Sequence, residues 1–65
     1  MKKFKHLEPG ELFKFTPHGS VSRAKVCKND GRVFWEYETP DGEVYDIGQN
    51  PDVYVKVTKT IEVWE

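Results

Sequence analysis

A single cysteine, Cys27, is all the thiol this chain carries, so no intramolecular disulfide can staple it. Apolar residues make up only 37% of its 65 residues. That is short of the roughly 45–50% of an average globular chain, and no run approaches the ~20 consecutive apolar residues of a membrane helix. These shortages exclude a disulfide scaffold and a helical membrane span. The basic opening Met1-Lys2-Lys3 runs into Phe4, Lys5 and His6 instead of an apolar h-region, which predicts no secretory leader and a location in the cytoplasm of the host cell. Histidine is scarce too. His6, His18 and Cys27 stand twelve and nine residues apart, without the CxxC or HxxxH spacings of a metal site, so neither a metal nor a cofactor is expected. The length leaves room for one domain, residues 1–65.

What the chain does have is aromatics and tight turns. Four Phe, three Tyr and two Trp supply the bulk of a small core. Five breakers, Pro9-Gly10, Pro17-His18-Gly19, Asn29-Asp30-Gly31, Pro40-Asp41-Gly42 and Gly48-Gln49-Asn50-Pro51, leave no room for a helix. Between them the side chains alternate with period two, which predicts strands over Leu12–Thr16, Val21–Lys28, Arg32–Thr39 and Glu43–Ile47. The odd-numbered Val53, Val55, Val57, Ile61 and Val63 then form one long bent strand, or two strands joined at Thr58-Lys59-Thr60.

Asn-Asp-Gly and Pro-Asp-Gly both suit hairpins, so the second, third and fourth strands make a meander. A three-residue loop at Pro40-Asp41-Gly42 pairs Tyr37 with Tyr45 and Trp35 with Ile47. A two-residue Asn29-Asp30 loop pairs Val26 with Val33 and Ala24 with Trp35. A flat sheet this short would leave an aromatic face open, and closure removes that hazard. The expected fold is therefore all-β, a five- or six-stranded antiparallel SH3-like barrel. An OB-like barrel is the alternative, disfavoured because it usually carries a helix.

The opening Phe4-x-x-Leu7-x-Pro9-Gly10-x-x-Phe13-x-Phe15 resembles the start of small, uncharacterised SH3-like β-barrel proteins of bacteriophages and prophages. The resemblance implies a barrel fold and a mobile-element origin, and it transfers no active site. Around the Pro-Gly turn, Leu7 and Leu12 are placed to pack on either side.

The formal charge of −1 conceals a gradient. Residues 1–32 hold eight bases and three acids, a net +5, and residues 33–65 hold two bases and eight acids, a net −6. Either basic strands face acidic ones and cancel, or a dipole survives folding. Cys27 sits among lysines near a strand end, and the carboxylates Glu36, Glu38 and Asp46 lie on sheet surface without a pocket to shift a pKa. Enzyme activity is accordingly not expected.

Binding is the remaining class. Phe34, Tyr54 and Trp64 fall out of phase with the core residues beside them and are the candidate anchors for a host or phage protein, in an acidic rim of Glu36, Glu38, Asp46 and Glu62. The alternative partner is single-stranded nucleic acid, its backbone tracked by Lys14, Arg23, Lys25, Lys28 and Arg32 while aromatics stack on bases. A small-ligand pocket is a third reading. An open sheet edge allows a monomer or a weak homodimer.

Overall fold

The computed structural model describes residues 1–57 and 63–65. The chain is all-β: β1 (Lys2–Lys3), β2 (Leu12–Lys14), β3 (Ser22–Asn29), β4 (Arg32–Glu38), β5 (Val44–Asp46) and β6 (Asp52–Val55) form one antiparallel sheet in the order β1-β6-β2-β3-β4-β5. β1 and β5 are its two edges among the described residues, so the sheet is open and the ring of strands is not closed by hydrogen bonds. Beyond β6, Lys56 and Trp64 form an antiparallel bridge. Thr58, Lys59 and Thr60, where a join between two strands is expected, lie outside the described residues, as do Ile61 and Glu62.

The meander forms as its turns dictate. At the Pro40 corner Thr39 N–H donates to Glu43 O and Gly42 N–H to Thr39 O, with Gly42 at φ 90°, and Tyr37 faces Tyr45. The other hairpin is a correction: Asn29 pairs with Arg32, Val26 with Trp35 and Ala24 with Tyr37. Its two-residue loop is Asp30-Gly31, and both residues take positive φ, 51° and 77°, as a type I′ turn demands. The strands slide by two residues relative to expectation. Two is the repeat of the pleat, so every side chain keeps its face.

The N-terminal arm departs further. Residues Phe4–His6 form a single 3-10 turn, the one helical piece of the described chain. That turn drops Phe4 and Leu7 into the core with Phe13, Ala24 and Val53. Phe4 N–H donates to Pro51 O at 2.9 Å and thereby ties the arm to the start of β6. Leu12, expected to mirror Leu7 across the turn, is exposed instead, because it shares a face with Arg23 on the opposite phase from Phe13. At Gly10, φ 89° lets the chain swing so that its N–H reaches Ala24 O at 2.7 Å, which sets the register in which β2 enters the sheet.

Strand ends are shorter than the alternation suggests. β2 stops at Lys14 and β5 at Asp46. The core therefore sits where β2, β3 and β6 overlap, with Trp35, Tyr37, Ile47 and Val55 packed against it. The far half of the β3–β4 hairpin stands clear of it, and the molecule measures 40 × 23 × 19 Å. No helix among the described residues is long and apolar enough to cross a membrane.

Candidate functional site

The inner phase of the sheet carries more aromatic surface than the core encloses. Phe13 is fully buried and meets Phe4, Phe15 and Tyr37 edge-on, with ring centroids 5.2, 5.0 and 6.1 Å away. Phe15 lies one step past the end of β2, where the sheet no longer covers it, and remains 41% exposed. It packs edge-on against Tyr37 at 5.1 Å, and Tyr37 in turn leans on Tyr45 at 5.7 Å. Tyr45, on the edge strand β5, is 49% exposed. The row of rings thus begins in the core and ends in solvent.

This row floors a groove. One lobe, about 510 Å³, runs between the Thr16–Ser20 loop and the Pro40 corner over Phe15, Tyr37 and Tyr45. A second, about 470 Å³, continues past the same Phe15–Tyr37 pair towards Ile47 and Pro51. Asp41 lines the first, and Asp46, which takes the opposite phase from Tyr45 on β5, borders the second. The hydroxyl of Thr39 donates to Asp41, and this bond, helped by the backbone N–H of Glu43, holds the Asp41 carboxyl below its ordinary pKa of 3.8.

Because the folded-state value is the lower one, the unfolded chain binds this proton more readily. Asp41 therefore contributes stability that is complete above 3.8 and vanishes as the pH falls through the folded value. Urea midpoints measured against pH are expected to place wild type above Asp41→Asn near neutrality, with the gap closing under acid. A gap that widens on acidification would contradict this assignment.

The anchors expected from phase alone are not brought together. Phe34 pairs with Cys27, five residues along β3 from Ser22, whereas Tyr54 lies beside Val55, and both Ser22 and Val55 are partners of Phe13. Tyr54 is one residue further from that level, so Phe34 is roughly 20 Å along the strand direction from Tyr54 and three strands across. Tyr54 and Trp64 do share a region of the outer face, where the Lys14 ammonium stands 4.7 Å over the Trp64 ring. The Trp64 indole N–H is buried without an acceptor among the described residues. Glu36 and Glu38 lie on the outer face of β4, opposite Lys25 and Arg23.

The basic set is divided as well. Lys14 is engaged with Trp64, Arg23 donates to Gly10 O at 3.3 Å, and Lys25 pairs with Glu38 at 4.0 Å. Lys28 and Arg32 flank the far hairpin turn on opposite phases. Across β3 and β4 the opposite charges face one another, and Lys2–Glu11 and Lys3–Asp52 add two further surface pairs. Among the described residues, no three His, Cys, Asp or Glu side chains gather as a metal would require.

Phe15, Tyr37 and Tyr45 are the residues that phase alone assigns to the core. The available signal is numerical: the inner phase offers Phe13, Phe15, Trp35, Tyr37, Tyr45 and Ile47 to a sheet whose covering strand β2 is only three residues long. No protein-family model matches this sequence, and neither a curated protein nor a solved structure matches it.

Proposed function

We propose that this chain is a non-enzymatic binding module, a small and partly open barrel of the SH3-like kind, that holds a segment of another protein against Phe15, Tyr37 and Tyr45. The observation carrying this reading is the half-exposed pair Phe15 and Tyr45 on either side of Tyr37, an apolar floor that the described residues leave uncovered. Rigid aromatic rings give large contact area at small entropic cost and dominate interface energetics. The outer-face set supports a single site less well, because Phe34 is far from Tyr54 and Trp64, and Trp64 already has Lys14 above it. The carboxylates beside the groove, Asp41 and Asp46, are exposed, which favours recognition of charge over acid–base chemistry.

Selection of a random peptide library on the wild-type protein tests this. Selected peptides are expected to bind Tyr45→Ser and Phe15→Ser at least about tenfold more weakly, and Phe34→Ser with unchanged affinity. Weakening at Phe34, Tyr54 or Trp64 with none at Tyr45 would move the site to the outer face and overturn the proposal. Circular dichroism of each variant separates loss of binding from loss of fold.

A further inference from the structure

We propose that the occupant of the groove is an extended protein segment, alternating basic and apolar residues, that joins the sheet antiparallel to β5 as a seventh strand; this rests on the groove being the working surface. β5 ends the sheet, and its second edge has no partner among the described residues. Its hydrogen bonds to β4 come from the odd-numbered positions: Thr39 N–H donates to Glu43 O and Ile47 N–H to Trp35 O, with Tyr37 opposite Tyr45 between them. In an antiparallel ladder the intervening residues turn their backbone groups the other way. Val44 and Asp46 therefore offer both N–H and C=O outward, the pattern an added strand takes up.

The two faces of this edge dictate the alternation. On the outer face Asp46 stands directly opposite Glu36, a like-charge pairing that costs stability in a sheet, and no Lys or Arg among the described residues forms an ion pair with either. A lysine or arginine placed opposite Asp46 neutralises that pair. On the inner face the next residue of the same strand falls beside Tyr45, over the groove floored by Phe15 and Tyr37, where an aliphatic or aromatic side chain is covered. A second copy of this chain fits less well. Pairing β5 with its own kind doubles the acidic rim of Asp41, Glu43 and Asp46.

In such an antiparallel pair the residues opposite Val44 and Asp46, the basic ones, exchange the hydrogen bonds, and the apolar residues turn their N–H groups away. Isothermal titration with blocked octapeptides alternating lysine and valine reads this directly. The plain peptide is expected to bind the wild type, and methylating the lysine backbone nitrogens to weaken it about tenfold or more, while methylating the valine nitrogens is tolerated. Replacing lysine with glutamate weakens binding by a similar factor, and Asp46→Lys reverses that preference. Absence of binding by the plain peptide, or retained binding after lysine N-methylation, overturns the inference. The groove reading survives either result if library-selected peptides still require Tyr45, and fails separately if they do not. Dimerisation of the free protein that the peptide displaces, seen by sedimentation, would make a second copy the occupant and equally overturn the inference.

Discussion

Phe13→Ala is expected to remove most or all of the stability of this chain. Phe13 has no exposed surface and is the hub at which Phe4, Phe15 and Tyr37 meet. Truncating a buried phenylalanine costs about 3–5 kcal/mol, through lost transfer energy and the cavity left behind. A domain of this length holds only roughly 3–10 kcal/mol in total, at about 0.05–0.15 kcal/mol per residue. Urea titration followed by far-ultraviolet circular dichroism should show either no folded baseline or a midpoint reduced by a third or more. Phe34→Ala, 42% exposed on the outer face, serves as the reference and is expected to cost under about 1 kcal/mol. Similar midpoints for the two variants would mean that the core lies elsewhere.

Deleting residues 1–7 is expected to do comparable damage, although the segment contributes only a two-residue strand and one turn of 3-10 helix. It supplies Phe4 and Leu7, two of the five buried apolar side chains among the described residues. It also covers β6, where Lys2 and Lys3 pair with Val53 and Asp52, and Lys5 N–H donates to Asn50 Oδ1 at 2.9 Å. Without it Val53, which has no exposed surface, meets water. The truncated chain is expected to unfold without a cooperative transition. Replacing both Lys2 and Lys3 with Ala should cost under about 1 kcal/mol, since their ion pairs with Glu11 and Asp52 are solvent-exposed. A cooperative transition in the truncated chain at the wild-type midpoint would refute the arm's part in the core.

The contrast between these two variants tracks what local sequence encodes. Phe13 announces itself through alternation, and so does the β3–β4–β5 meander, because period-two patterning and Asp-Gly turns are properties of neighbours in the chain. Tyr37 opposite Tyr45 follows from the Pro40-Asp41-Gly42 turn alone. Asn29-Asp30-Gly31 admits loops of more than one length, and only the pairing of whole strands selects Asp30-Gly31. Leu7 is legible as a packed residue beside the Pro9-Gly10 turn, whereas Phe4 stands in a segment too short to display a helical period, so nothing local marks it as core. The candidate groove was hidden for a related reason. Phe15 reads as a core residue from its phase, and it is exposed because β2 ends at Lys14, a fact of the sheet and not of the strand. Likewise, the separation of Phe34 from Tyr54 and Trp64 is set by the strand order, which spacing along the chain does not contain.

That strand order also constrains how the polypeptide matures. β6, close to the C-terminal end of the described chain, sits between β1 and β2, both near its beginning. A nascent chain emerging from the ribosome can form the β3–β4–β5 hairpins from adjacent segments, but Phe4, Leu7 and Phe13 wait for Val53 before their common interior is sealed. Until residues 52–55 have cleared the exit tunnel, the apolar half of the molecule stays wet and open to wrong partners, so the last of these six strands to be made is the one that seals the interior.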